Sequence, residues 1–355
     1  MNRFKTWTLT TLGAIALTLG ISACGGGPED SGGYEPLTYD YVTGDDDSDN
    51  YLLQIHIDGI ILNSPAGSGL FGVSGVTYGY ELQEILEKAS EDDQVKGIFL
   101  RLSTPGGTVV GSDAIYQALA HYKETTGNPI VAYVEGLSAS GGVWSMVAAD
   151  VIYAAPGSIV GSIGVVGPTL LFFDDPVAID GGLFGGGITT RNGIQQFAIA
   201  AGKGKDLGNP FRAPTEEELQ VVQTAINNEY SNFVTHVATT RDIAEQTLRE
   251  EMGAYIFDVE TAEAYNLIDG TLGRPEALAE LAQLAALEAD YQLVQVSYPQ
   301  PSLLNLLLGK APEPLTFEQQ QSLIQADLCS ITTTSVLAYH GDITTLCPSQ
   351  YGLPE

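Results

Sequence analysis

Short apolar segments alternate with segments of helical spacing between residues 52 and 154, and this alternation limits the folds open to the chain. Residues 95–102, 130–134 and 151–154 have the length and composition of buried strands. Apolar residues at helical spacing fill most of the intervals between these segments. Strands that alternate with helices form βαβ units around a parallel sheet. The sequence therefore predicts an α/β fold whose sheet is largely parallel.

Two further helices are predicted after residue 210. Thr215 and Glu218 have the spacing of a capping box, which predicts the start of a long helix at Thr215. Pro275 is predicted to open the last core helix, because proline favours the first helical turn. From about residue 291 the pattern is lost, and the sequence assigns no role to residues 291–355. Residues 181–187 are glycine-rich and indicate either a flexible flap or a plain insertion.

The first 24 residues have the pattern of an export signal. Arg3 and Lys5 precede an apolar run within residues 1–23, and small residues lead up to Cys24. This pattern resembles the bacterial lipoprotein signal, in which the cysteine is lipidated and becomes the mature N-terminus. The alternative is an ordinary signal peptide that is cut nearby, with Cys24 incidental. We expect a lipid anchor at Cys24 that holds the chain to a membrane of the bacterial cell envelope, facing the periplasm or the exterior.

The chain is strongly acidic, with a formal net charge of −30 at neutral pH. Residues 28–50 carry eight carboxylates and no basic side chain. The segment 24–50 is therefore predicted to be an acidic, disordered linker. Binding to nucleic acid requires lysine and arginine to displace counterions. The charge accordingly argues against nucleic acid as a partner.

Cys329 and Cys347 are predicted to form a disulfide, because disulfides persist in the compartments to which exported chains go. Such a bridge would close a loop of about 18 residues and stabilise the fold by roughly 3 kcal/mol. The alternative is a pair of free, buried thiols. The sequence contains no histidine or cysteine spacing typical of a zinc site and no phosphate-loop motif. We therefore expect neither a metal nor a cofactor.

Two glycine turns follow predicted strands, at residues 105–107 and 140–142. A serine at a strand-to-helix turn can present its hydroxyl while neighbouring backbone N–H groups form an oxyanion hole. The alternative is a tight turn that serves packing alone. A serine nucleophile also needs a base. Among seven lysines, Lys203 and Lys205 stand apart in a segment of small residues, and spacing does not choose between them.

Four ordered motifs carry a resemblance to a known family. They are Ser103-Thr104-Pro105-Gly106-Gly107, Ser138-Ala139-Ser140-Gly141-Gly142-Val143-Trp144, Pro156-Gly157-Ser158-Ile159-Val160-Gly161-Ser162-Ile163-Gly164, and Gly204-Lys205-Asp206 with Pro210-Phe211-Arg212. From about residue 52 to 290 the chain resembles the signal peptide peptidase A (protease IV) family, whose members share the fold of Clp protease and crotonase. The resemblance implies a peptidase domain at residues 51–290.

The resemblance also implies a role for individual residues. Ser140 would be the nucleophile and Lys205 its general base. Gly107 would supply one N–H of the oxyanion hole, with the N–H of Gly141 as its partner. Ser162 would orient the amine of the lysine, and the alternative for Ser162 is a turn serine that bonds its own backbone.

The family further implies a substrate and an assembly. Its members cleave hydrophobic peptides, including spent signal peptides, as rings of subunits. In single-domain members the serine and the lysine meet across a subunit boundary, and this chain resembles that type because it has one copy of each motif. We therefore expect a serine endopeptidase that forms a homo-oligomeric ring.

Two rival functions use the same fold. One is an envelope scaffold that has lost turnover, and the presence of both Ser140 and Lys205 argues against it. The other is a crotonase-like acyl-CoA enzyme, and export argues against it because coenzyme A is intracellular. A Clp-type Ser-His-Asp mechanism would require a histidine near Val165, and residues 162–167 contain none.

Overall fold

The computed structural model describes residues 36–64, 75–174, 198–297, 329 and 336–341. These residues contain eleven strands, six α-helices and one π-helix. The strands join in one sheet, in which most neighbouring strands are parallel. The predicted α/β class with a largely parallel sheet is therefore confirmed.

The elements alternate along the chain much as the pattern of apolar segments predicts. In chain order they are β1 (Tyr39–Gly44), β2 (Tyr51–Leu62), β3 (Val76–Tyr78), α1 (Gly79–Ser90), β4 (Val95–Thr108), α2 (Val109–Thr126), β5 (Ile130–Ala139), α3 (Gly141–Met146), β6 (Val151–Ala154), β7 (Ile159–Gly161), α4 (Glu216–Arg241), the π-helix (Thr247–Met252), β8 (Ile256–Asp258), α5 (Val259–Ala264), β9 (Gly270–Thr271), α6 (Arg274–Leu284), β10 (Gln292–Val296) and β11 (Leu337–Tyr339).

The main path of the sheet runs in the order β1-β10-β2-β4-β5-β6-β9. The six strands β10, β2, β4, β5, β6 and β9 of this path are all parallel to one another, whereas β1 is antiparallel to β10. β3 and β7 extend the sheet beside the ends of β2 and β5. β8 pairs antiparallel with β7, and β11 pairs antiparallel with the end of β4. The carboxyl ends of β4 and β5 therefore lie side by side, which is where ligands gather in such sheets.

Both faces of the sheet are covered by helices. Successive residues of a strand point to opposite faces, and Ile98 and Leu100 of β4 accordingly pack in the core with α1 and α2. Phe99, between them, packs in a second core with Leu278 and Leu281 of α6. This burial on two sides explains why the strands read as continuous apolar runs rather than as alternating ones.

The signals predicted to start the two late helices are confirmed. Thr215 caps α4 through its side chain and forms the reciprocal capping box with Glu218. Pro275 lies in the first turn of α6. Apolar residues in the second half of α4, including Phe233 and Val237, are buried, whereas Leu219 near its start is exposed.

The predicted disordered linker is wrong for its second part. Residues 39–44 form β1, which pairs with β10 in the part of the chain predicted to lie outside the peptidase domain. Tyr39 holds this edge by packing against Tyr51 and donating a hydrogen bond to Asp92 at 2.8 Å. The side chains of β1 are mostly exposed. The strand can therefore join the sheet edge without burying its one carboxylate, Asp40.

Several predictions fall on residues outside the described ranges. These are the signal peptide, lipidation of Cys24, the glycine-rich segment 181–187 and the cysteine Cys347. They stay predictions. Among the helices of the described residues, none combines the length and the apolar character needed to cross a membrane.

Candidate active site

Ser140 occupies the turn between β5 and α3 in a conformation that side chains rarely adopt. Its φ of 53° and ψ of −109° lie outside the helical and extended regions, and such backbone costs of the order of 1–3 kcal/mol. The N–H of Ser140 donates to the Gly161 carbonyl at 2.8 Å, and its hydroxyl donates to the Gly164 carbonyl at 3.1 Å. The residue is 0% exposed. A strained serine at the end of a strand matches the geometry of a nucleophile elbow.

The two glycines after Ser140 are required by close packing. A Cβ atom at Gly141 would lie 2.3 Å from the hydroxyl of Ser112 on α2. A Cβ atom at Gly142 would lie 2.6 Å from the methyl group of Thr104 on β4. The turn is therefore pressed against both neighbouring elements, and only glycine allows that approach.

The first glycine turn lies within β4 rather than after it. The sequence predicts that this strand ends at residue 102, but β4 continues to Thr108 because Gly106 and Gly107 still pair with β2 after a bulge. Gly106 has a φ of 90°, and its N–H donates to the Thr104 hydroxyl at 3.0 Å. A Cβ atom at Gly107 would lie only 1.9 Å from the carbonyl oxygen of Ile61.

The two glycine turns are in contact, as a shared oxyanion hole requires. A Cβ atom built at Gly106 would lie 2.6 Å from the Gly141 nitrogen, and one built at Gly141 would lie 3.2 Å from the Gly107 nitrogen. The N–H groups predicted to hold the oxyanion thus belong to backbone segments that touch beside Ser140. Their catalytic role stays a prediction.

Ser162 lies next to this turn, after β7. It has a φ of 59° and is 6% exposed, and its N–H donates to the Tyr255 carbonyl at 2.7 Å. Its hydroxyl is 3.1 Å from Nδ1 of His340. The side chain therefore contacts a distant residue rather than Lys205, its predicted partner.

The two candidate lysines have different environments, and neither of them contacts Ser140 within the described residues. Lys203 forms an ion pair with Glu217, with 2.6 Å between the amine and a carboxylate oxygen. Lys205 is exposed, and within the described part of the chain its amine forms no hydrogen bond or ion pair. Of the two, Lys205 is thus the amine that is free to serve another group.

Arg212 ties the segment that carries Lys205 to the start of α4. Its guanidinium donates to Asp206 at 2.8 Å and to Glu218 at 2.7 Å. Hydrogen bonds from Arg212 lower the pKa of Asp206, and together with the backbone N–H of Thr215 they lower the pKa of Glu218 to about 2. Both carboxylates are therefore charged at neutral pH. Asp206 and Arg212 of the fourth sequence motif therefore form, with Glu218, a clamp that holds the Lys205 segment against α4.

An aromatic cluster of Trp144, Phe233 and His236 joins α3 to α4. The ring of His236 stacks on Trp144 with 4.9 Å between centroids, and Nε2 lies 3.0 Å from the Trp144 carbonyl. Burial lowers the pKa of His236, so the ring is neutral at pH 7. A carbonyl oxygen can only accept, which assigns the proton to Nε2. His236 thus positions α3.

Sequence reasoning did not place the C-terminal segment at the site. β11 pairs with residues 106–108 at the end of β4, and the N–H of His340 donates to the Pro105 carbonyl at 2.8 Å. The apolar run at residues 336–339 was the available signal, but nothing in it indicates which strand it joins. Cys329 is disulfide-bonded and packs near Leu62 and Tyr78, and its partner lies outside the described residues. Pairing with Cys347 stays a prediction.

The chain is similar in sequence to known proteins. Residues 122–288 match the model of peptidase family S49. A presumed protease of Synechocystis sp. is 30% identical over 225 residues, which cover 62% of this chain and 75% of that protein. The chain belongs to peptidase family S49. The family predicted from the four motifs is thereby confirmed.

Two further proteins are similar to this chain at lower sequence identity. A presumed signal peptide peptidase of Enterococcus faecium is 28% identical over 222 residues, which cover 62% of this chain and 60% of that protein. The chain thus spans less than two thirds of that relative's length. A solved structure of a ClpP1 mutant from Listeria monocytogenes is 12% identical with a TM-score of 0.39, covering 63% of this chain and 94% of that one.

Proposed function

We propose that this member of peptidase family S49 is a serine endopeptidase that hydrolyses hydrophobic peptides with Ser140 as nucleophile and Lys205 as general base. The observation that carries the proposal is the strained backbone of Ser140 beside two touching glycine turns. Strained residues of this kind persist where the fold holds them for a purpose. Packing alone would be served by a relaxed turn.

In the proposed reaction the hydroxyl of Ser140 attacks the substrate carbonyl while the neutral amine of Lys205 takes its proton. The negative charge that forms on the carbonyl oxygen is stabilised by the N–H groups of Gly107 and Gly141. Lys205 then gives the proton to the leaving amine, and water, activated by the same lysine, hydrolyses the acyl-enzyme. The chemistry needs only these groups of the chain.

The base is proposed to act across a subunit boundary. A lysine becomes a base when burial removes water from its amine, yet Lys205 is exposed in a single chain while Ser140 is buried. Phe173 is partly exposed and contacts Pro210 and Phe211, which follow Lys205 in the chain. Phe172, beside it, and Leu219, at the start of α4, are exposed as well. A second copy that covers these side chains would bury the amine, and a closed ring repeats that contact between identical subunits.

The substrate and location are proposed from the sequence. A hydrophobic peptide, such as a cleaved signal peptide, suits an enzyme of the cell envelope, and the small residues before Cys24 support export and lipidation. Ser162 is proposed to orient the amine of Lys205 when its hydroxyl is not engaged by His340.

The test is hydrolysis of an apolar fluorogenic peptide by purified variants. Ser140→Ala and Lys205→Ala should each lower kcat by at least about 10³-fold. Lys203→Ala is the matched control and should keep most of the rate, because that amine is held by Glu217. Equal rates in all four proteins would refute the dyad.

A further inference from the structure

The C-terminal strand β11 lies between the two parts of the candidate site. On one side Leu337 exchanges backbone hydrogen bonds with Val166, at 2.8 and 3.0 Å. On the other side the register pairs Ala338 with Gly107 and Tyr339 with Gly106. The strand is thus held along both edges by the segments that flank Ser140.

The carbonyl group of Ala338 points into the predicted oxyanion hole. Hydrogen-bonded pairs occur at every second position of an antiparallel ladder. Because the N–H of His340 donates to Pro105, the next hydrogen-bonded pair is Ala338 with Gly107. The Ala338 oxygen also lies 3.1 Å from the position that a Cβ atom of Gly141 would take. A substrate carbonyl would occupy the same place.

The same strand also engages the residue predicted to orient the lysine. The ring of His340 bonds the hydroxyl of Ser162 at 3.1 Å. Leu337 and Ala338 are 2% and 0% exposed, so this part of the strand is buried in the groove rather than resting on the surface. An oxyanion N–H, the adjacent turn and Ser162 are therefore all engaged by one short segment.

We propose that residues 337–340 are an autoinhibitory strand that occupies the peptide-binding groove of the chain's own active site. The proposal rests on the site assigned under the proposed function. β-Strand addition is a common mode of peptide recognition, in which backbone hydrogen bonds supply the affinity. A strand that belongs to the same chain competes intramolecularly, so a free peptide must overcome its effective concentration at the site. A peptide substrate must displace it before it can bind.

Peptide binding in an inactive background tests the proposal without relying on turnover. The probe is a fluorescent peptide with the sequence of residues 334–341, and the readout is fluorescence anisotropy. In a Ser140→Ala background, the further substitution Leu337→Asp should release the strand, because it buries a charge in the groove. The probe should then bind at least about tenfold more tightly than to Ser140→Ala alone, since the competent fraction rises.

Two controls keep the result interpretable. Leu284→Asp makes the same change at an exposed position on α6 and should leave probe binding unchanged. Ala338→Pro is a second way to release the strand, because proline removes the N–H that pairs with Gly107. Should Leu337→Asp fail to fold, tighter probe binding by Ala338→Pro supports the proposal and unchanged binding overturns it.

The remaining outcomes separate this proposal from the proposed function. Equal probe binding by Ser140→Ala with and without strand release would overturn autoinhibition, whatever the enzyme hydrolyses. In the Ser140 protein, Leu337→Asp should also raise kcat/KM for an apolar peptide at least about tenfold. Absence of hydrolysis in every variant would refute the peptidase, while the binding result would still decide whether the strand blocks the groove. Cleavage of the wild-type chain after Ala338, detected by mass spectrometry after reduction, would show a substrate and overturn the proposal.

Discussion

Gly107→Ala offers a direct test of how tightly the site is built. An added Cβ atom would lie 1.9 Å from the Ile61 carbonyl oxygen. Because Cβ atoms in folded proteins stay about 3 Å or more from such a neighbour, β2 and β4 must separate by about 1 Å. Overpacking of this kind costs about 1–3 kcal/mol. For a domain of this size the expected fall in Tm is about 2–12 °C.

The same substitution should affect turnover more than stability. Displacing one oxyanion donor lowers kcat by roughly 10²–10³-fold, and the N–H of Gly107 moves with its strand. Tm is measured by circular dichroism and kcat with an apolar fluorogenic peptide. Gly270→Ala is the control, because a Cβ atom there meets Tyr153 at an ordinary 3.6 Å. A Gly107→Ala protein with wild-type Tm and wild-type kcat would refute the described packing and the oxyanion role together.

Three further predictions concern the clamp, the aromatic cluster and the disulfide. Arg212→Ala should lower kcat/KM at least about tenfold by releasing the Lys205 segment. Because the pKa of Glu218 is lowered, the clamp weakens only as pH falls from about 4.5 toward 2. The ratio of the variant's kcat/KM to the wild-type value should therefore stay constant between pH 5 and 8, and a steady change in that ratio across this range would contradict the prediction. His236 has a lowered pKa, so its contribution to stability is present above about pH 6.5 and is lost as pH falls. Between pH 6.5 and 5, urea unfolding should show a smaller loss in the free energy of unfolding for His236→Phe than for wild type. Equal losses in the two proteins would contradict a neutral, buried His236. Cys329→Ser should lower the free energy of unfolding by roughly 3 kcal/mol, measured without reductant, and an unchanged value would contradict a structural role for the bridge.

The sequence was informative where local signals coincide with the tertiary structure. The apolar runs of β5 and β6, the capping box of Thr215 and the serine turn all depend on neighbours a few residues away, and their type and place were predictable. The end of β4 was not, because its continuation past residue 102 depends on pairing with β2, more than 40 residues earlier.

Other features depend on contacts that no local pattern encodes. β1 lies within an acidic segment whose overall composition is typical of disorder, and its pairing with β10 joins segments about 250 residues apart. β11 reaches β4 across a similar separation along the chain. The proposed approach of Lys205 to Ser140 requires a second subunit, and a contact between subunits is encoded neither in a local sequence pattern nor in the fold of one chain.

The most direct test of the central claim is to mix two inactive proteins. Ser140→Ala and Lys205→Ala subunits are denatured together and refolded in equal amounts. Random assembly into rings places an intact serine beside an intact lysine at about a quarter of the boundaries, so the mixture should recover about a quarter of the wild-type kcat. A mixture that assembles but stays as inactive as its components would contradict a dyad formed between subunits.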